Sequence, residues 1–252
     1  MPLGIISAMP EEMEALLQNM KIVQTHNLGM RTYHQGTLFG KAVILVFSRW
    51  GKVAAATTAS HLIHDFKVAE ILFTGVAGSV NEHVEIGDII VGQDLYQHDM
   101  DASPLVKRFE VPLLHKTCFS TDPGKREKLF KACEAFLEHY EEYISEEERV
   151  RFSLKQPKVV MGDIASGDQF ISTKDQIQFI QTHLPNALCV EMEGAAVAQV
   201  CFEYNIPFSI FRTISDKAND NAHIDFPAFA KQIASTYALG ILRNYLSMRF
   251  EI

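Results

Sequence analysis

Positive charge is in short supply in this chain: 23 Lys and Arg stand against 31 Asp and Glu, for a net charge of −8. The deficit argues against a phosphate-backbone partner, which is held through clustered Lys and Arg. Long apolar runs are missing too. No stretch reaches the roughly 18 residues of a membrane span, and the opening MPLGIISAMPEEME lacks the basic start and longer apolar stretch of a signal peptide. Cysteine is sparse. Cys118, Cys133, Cys189 and Cys201 are scattered, with no C-x-x-C pair and no metal-ligand spacing; they read as core or surface thiols in a reducing compartment. There is no internal repeat, low-complexity tract or Gly/Ser-rich linker. The expectation is a single cytoplasmic domain spanning residues 1–252, with no nucleic-acid or membrane partner and no metal.

What is present is enough to fold unaided. At 252 residues, 47% apolar and 21% charged, the chain can bury roughly 70–75% of its unfolded surface without a disulfide or metal. Short apolar runs alternate with helical patterns. Residues 3–8 read as a buried strand, followed by Met13, Leu16, Leu17 and Met20 at helical spacing. Residues 33–38 and 42–48 read as a hairpin and 53–66 as a helix. Strands are expected at 71–74, 88–96, 159–165, 188–190 and 208–213. Helices are expected at 124–143, 173–183, 193–204 and 226–248. Near-continuous apolar strands between helices imply a central sheet covered on both faces.

In such sheets ligands sit beyond the carboxyl ends of the strands. That rule selects residues 9–12, 48–51, 75–78, 166–171, 191–193 and 212–216. Glu11, Glu12 and Glu14 open a helix, where acids complement the dipole; one carboxylate turned into the crevice would instead be a general base. Gly75-Val76-Ala77-Gly78 is either a tight turn or a close backbone approach to a ligand. Glu191-Met192-Glu193-Gly194 either starts a helix or holds a sugar's vicinal hydroxyls. Ser215 and Asp216 either cap the next segment or act on substrate. His98, Asp99 and Asp101 imitate a metal site, but without a matching cluster elsewhere they are weak evidence for zinc. His223 near Asp225 is active-site lining or a solvated cap, and 141–149 is a solvated face.

Together, GIISAMPEEME, GKVAAA, FTGVAGS, VEIGDIIV, HD-x-D, SGDQFI, VEMEGAAVAQVC and RTISD resemble the 5′-methylthioadenosine/S-adenosylhomocysteine nucleosidases of the purine nucleoside phosphorylase superfamily. The likeness runs from residue 3 to about 240, interrupted near 140–158 by what reads as an insertion. It implies an α/β fold, a three-layer αβα sandwich around a central mixed sheet, usually assembled as a homodimer. It implies hydrolysis of the N-glycosidic bond of an adenine 5′-thionucleoside, with no cofactor. By the resemblance, Glu12 activates water, Asp216 protonates adenine N7 and Ser215 steadies it. Phe170 stacks on the base, the main chain of Ile171 reads its edge, Met192 and Glu193 hold the ribose, and Arg212 lies near the water. Met9, Trp50, Ala77, Gly78 and Phe226 complete the substrate-binding set.

Bond cleavage of this kind needs an acid at the base, carboxylates near the sugar and a base for water, as in glycoside hydrolysis generally. Three departures bear on the 5′ tail. Val76 stands where relatives commonly carry Ser or Thr, Trp50 where they usually carry a small aliphatic residue, and residues 102–111 lack the usual aromatic residues. A purine nucleoside phosphorylase and a catalytically silent nucleoside-binding protein are the alternatives. Against phosphorolysis stand Glu11 and Glu12, which put negative charge where phosphate would sit.

Overall fold

A computed structural model describes residues 1–218 and 227–248. Side-chain alternation along the strands builds the layers, since successive residues point to opposite faces. In β1 (Leu3–Ser7), Leu3 and Ile5 enter one core and Ile6 the other; in β4 (Lys41–Phe47), Val43 and Leu45 part in the same way from Ile44 and Val46. The first core is roofed by α1 (Pro10–Asn19), α3 (Pro123–Leu137) and α7 (Ser235–Ser247). The second is roofed by α2 (Lys52–His64) and α6 (Gly194–Glu203), which approach closely through Ala55, Ala59, Ala195 and Ala198. The result is the three-layer αβα sandwich around a mixed sheet.

Among the described residues an eleven-stranded sheet runs in the order β2 (Met20–Leu28), β3 (Arg31–Leu38), β4, β1, β5 (Glu70–Thr74), β11 (Phe208–Asp216), β6 (Val76–Ser79), β10 (Ala187–Glu191), β9 (Val159–Ser166), β7 (Ile89–Gln97) and β8 (Phe119–Ser120). β1 is parallel to β4 and to β5 (Glu70–Thr74), and β5 to the start of β11 (Phe208–Asp216). Beyond that start, β11 pairs on one side with β6 (Val76–Ser79) and on the other with β7 (Ile89–Gln97). β6 pairs with β10 (Ala187–Glu191), β10 with β9 (Val159–Ser166) and β9 with β7. Five strands thus close on themselves, with β11 joining this ring to the open part of the sheet. All nine residues of β11 are buried.

Local chemistry sets the helix starts. Pro10 occupies the first turn of α1, Asp122 caps α3, and Thr173 with Gln176 forms a capping box on α5 (Lys174–His183). Three sequence expectations are revised and one strand is added. Met20 opens β2 (Met20–Leu28) instead of extending α1; that strand is exposed along most of its length and carries no alternation to betray it. Residues 76–79 form a strand and not a tight turn. The helix expected over 124–143 ends at Leu137, followed by a short 3₁₀ turn and α4 (Glu146–Arg151). The short β8 (Phe119–Ser120) was not foreseen. No helix among the described residues is long and apolar enough to cross a membrane.

Candidate active site

The strand register brings the expected segments together. Ser7 at the end of β1 lies beside Thr74 of β5, and Thr213 of β11 beside Val76 of β6. Val190 and Glu191 of β10 lie beside Gly78 of β6 and Ser166 of β9 respectively. These ends surround a cavity of about 400 Å³, lined by Met9, Trp50, Ala77, Gly78, Phe170, Ile171, Met192, Glu193, Ser215 and Asp216, among others. A volume of this size suits a nucleoside-sized ligand.

Glu12 lies beneath the cavity, 1% exposed, in the first turn of α1. Ser7 Oγ donates to its Oε2 at 2.5 Å, and the nearby backbone of Met9 and Ala8, which line the cavity, favours its charge. Its Oε1 has no hydrogen-bond partner among the described residues. Burial pushes this carboxyl up to about 7, against the Ser7 hydrogen bond and the charge of Arg212, which pull it down. A dipole-complementing acid would sit in solvent; this one is desolvated and poised near neutrality.

The two acids around Met192 separate into different tasks. Glu191 is consumed within the protein: it accepts from Arg212 Nη2 at 2.7 Å, from Gly194 N at 2.8 Å and from Ser166 Oγ. Glu193 is 4% exposed and accepts from Gly51 N at 2.8 Å. Burial, and then the negative charge of Glu191, push its carboxyl up, opposed by the Gly51 N–H and Arg212. Of the pair, Glu193 is the one with capacity left for a ligand's hydroxyls.

Arg212 is fully buried, its Cζ 4.1 Å from the centroid of the Phe73 ring. Asp216 ends β11 with Oδ1 accepting from Ala218 N at 2.7 Å and Oδ2 from Ser215 Oγ at 2.8 Å. Both readings of this pair therefore coexist: Asp216 caps the chain that follows and also faces the cavity. The glycines of FTGVAGS make room for side chains, since a Cβ on Gly75 would lie 3.0 Å from Arg212 Nη1 and one on Gly78 2.8 Å from Asp216 Oδ1.

Trp50 is 60% exposed at the cavity mouth, its Nε1 donating to Met9 Sδ at 3.2 Å. Phe170 is 44% exposed and Ile171 is buried beside it. Ten of the thirteen expected residues line the cavity; Glu12 and Arg212 are buried outside the lining, and Phe226, like His223 and Asp225, lies outside the described residues. Ala8, Gln169, Val190 and Pro227 also line it. Sequence reasoning missed Ala8, Val190 and Pro227 because apolar wall positions carry no chemical signature, whereas Gln169 falls within the selected stretch 166–171. Residues 102–111 do contain one aromatic, Phe109, which is buried in its own chain against the third core cluster. Among the described residues no group of three or more His, Cys, Asp or Glu is placed to hold a metal ion.

The sequence profile of the phosphorylase superfamily matches residues 2–247. A 5′-methylthioadenosine/S-adenosylhomocysteine nucleosidase of Staphylococcus aureus is 32% identical over 235 residues, 92% of this chain and 93% of its own. The Streptococcus pneumoniae MTA/SAH nucleosidase, solved with 8-aminoadenine, superposes with a TM-score of 0.83 at 32% identity, covering 98% of this chain and 99% of its own. A futalosine hydrolase of Helicobacter pylori superposes with a TM-score of 0.82 at 31% identity, covering 97% of both chains. The chain belongs to the phosphorylase superfamily, in the family of the 5′-methylthioadenosine/S-adenosylhomocysteine nucleosidases.

Proposed function

We propose that the protein hydrolyses the N-glycosidic bond of adenine 5′-thionucleosides, 5′-methylthioadenosine and S-adenosylhomocysteine, releasing adenine and the thioribose. The observation that carries this reading is Glu12: a buried carboxylate shifted to about 7, with one oxygen held by Ser7 and the other unpartnered among the described residues. Glu12 takes a proton from water as the water attacks the anomeric carbon. Positive charge builds on the sugar, where Glu193 meets the ribose hydroxyls beside Met192. Negative charge builds on adenine, and Asp216 delivers a proton to N7 while Ser215 steadies it. Phe170 stacks on the base and the Ile171 main chain reads its edge. Each proton-transfer partner is worth about 10²–10⁴ in rate, and no step calls for a metal or organic cofactor.

Hydrolysis is preferred to phosphorolysis on charge. Among the described residues lining or underlying the cavity the Arg is Arg212, and Glu191 already holds it. The names of the relatives agree. A homodimer is part of the proposal, as the resemblance to the nucleosidase family implies; Trp50, Val53, Leu105 and Leu113 offer it exposed apolar side chains. A reducing, cytoplasmic setting agrees with four free cysteines. Incubation with methylthioadenosine should release adenine and free methylthioribose at a rate indifferent to phosphate. A ribose 1-phosphate product means phosphorolysis, and binding without turnover means a silent receptor; either result sinks the proposal.

A further inference from the structure

The HD-x-D segment is not gathered into a metal-ligand group among the described residues, and its first Asp does something else. Asp99 is partly shielded, its side chain 17% exposed, and lies outside the lining of the nucleoside cavity. Its Oδ1 meets Lys52 Nζ at 2.6 Å and its Oδ2 accepts from Asp168 N at 2.8 Å. The Asp168 carboxylate in turn accepts from Lys52 N at 2.7 Å. Lys52 Nζ also reaches Gln97 Oε1 at 3.1 Å, and Gln97 continues to Gln199. The three residues therefore close a loop of contacts between two chain segments on either side of the cavity mouth. One segment carries Trp50 and Gly51, the other Gln169, Phe170 and Ile171.

Gly51 is the residue this clamp holds. It adopts φ +90°, a conformation that favours glycine, and a Cβ there would lie 2.9 Å from Asp168 Oδ1. Its N–H points at Glu193 Oε1, 2.8 Å away. The amide next along, Lys52 N, is pinned by Asp168, so the direction of the Gly51 N–H depends on where Asp168 sits. Asp99 fixes Asp168 by its main chain and Lys52 by its side chain.

We propose that Asp99 is a positioning residue for the sugar site, which, through Lys52 and Asp168, keeps the Gly51 N–H aimed at Glu193. The proposal rests on the sugar-binding role given to Glu193 above. Glu193 faces Glu191, which repels its charge, and Arg212, Gly51 N–H and the Met192 backbone, which favour it. Glu191 and Arg212 are locked to each other by 2.7 Å. The Gly51 N–H is the one of these partners that belongs to a surface connection and can be lost without unfolding the core. Asp99 itself faces Lys52 and His98; burial raises its carboxyl, but Lys52 and the Asp168 amide outweigh that and hold it below the usual range. It stays charged wherever the enzyme works.

The test compares Asp99→Ala, Asp99→Asn and Lys52→Gln with the parent and with Asp101→Asn. Asp101 shares the motif but pairs with Arg108 instead. Two readouts are taken: hydrogen exchange at the Gly51 amide in the free protein, and the pH profile of kcat/KM on methylthioadenosine. In Asp99→Ala the Gly51 amide should exchange at least about 10-fold faster than in the parent. KM should rise about 10-fold, more than kcat falls, because a hydrogen bond to a charged group has been loosened. The acid limb of kcat/KM should move to higher pH, since Glu193 without its donor ionises less readily. Asp99→Asn, which keeps the shape, should recover part of each change, and Asp101→Asn should match the parent. Unchanged Gly51 exchange in Asp99→Ala overturns the proposal whether or not the parent turns over substrate. So does a loss of activity with the pH limb unmoved, which marks a merely structural ion pair. A parent that protects Gly51 but does not cleave methylthioadenosine instead refutes the hydrolytic reading.

Discussion

Replacing Glu12 by Gln should abolish most turnover and, at the same time, change how stability depends on pH. Burial raises this carboxyl from 4.5 to about 7 in the folded chain. A group whose folded pKa is raised contributes stability that is present in full below its unfolded pKa and is lost as pH climbs through the folded one. For Glu12 that window runs from about 4.5 to about 7. At roughly 1.4 kcal/mol per pH unit, the parent loses about 2.5 kcal/mol from this one group between pH 5 and pH 8. Gln cannot ionise and loses nothing. Its amide would face the place where Oε1 now lies unpartnered, which costs about 1–3 kcal/mol at every pH. The sign of the difference at any single pH is therefore a poor test, and its slope is a good one. Urea unfolding of parent and variant, at matched protein concentration, should show the variant gaining about 2.5 kcal/mol on the parent from pH 5 to pH 8. For a chain of this size that is roughly 5–10 °C in melting temperature. Parallel pH profiles would mean that Glu12 titrates as an ordinary carboxylate, and the argument for a base poised near neutrality would fail with them.

Asp216→Asn is nearly isosteric and should keep the fold while lowering kcat on the order of 10²-fold or more, since the proton for adenine is gone; near-parent turnover removes Asp216 from that role. Trp50→Ile should raise activity on S-adenosylhomocysteine relative to methylthioadenosine, because the indole at the mouth occupies room a longer tail needs. Trp50 is the one tryptophan in the chain, so ligand binding to the parent should also change its intrinsic fluorescence; unchanged substrate ratios with silent fluorescence would take Trp50 out of substrate contact. The active species should sediment as a dimer, and a monomer fully active at nanomolar concentration contradicts the dimer.

Much of the sandwich could be read from the chain, because each core strand is a short apolar run ending in chemistry. Ser7, Thr74, Ser166, Glu191 and Asp216 all close apolar strands, and the rule that ligands gather at strand ends found their neighbourhood. β2 was lost because an exposed strand at the sheet edge has no periodic apolar face to report it. The division of labour between Glu191 and Glu193 was also illegible. Two acids separated by one residue look alike in sequence, and which of them is consumed by Arg212 depends on a strand residue 21 positions further on. The Asp99–Lys52–Asp168 clamp was hidden for the same reason: its members come from three connections distant in sequence. Residues 140–158 read as an insertion, yet Tyr140, Ile144 and Leu154 belong to the main core, so excising the segment would open a void.

β11 is bonded to β5 at its start and to both β6 and β7 beyond, and all of its residues are buried. A strand tied in on both sides opens only when the surrounding domain opens. Arg212, Ser215 and Asp216 therefore move as one body with the strand, and substitutions elsewhere have little leverage on their aim. Trp50, Gln169, Phe170 and residues 102–111 hang on connections outside the ring. For protein engineering this splits the molecule into a part to leave alone and a part to vary. A library at residue 50 explores new 5′ substituents, while Asp216 stays fixed in the strand framework.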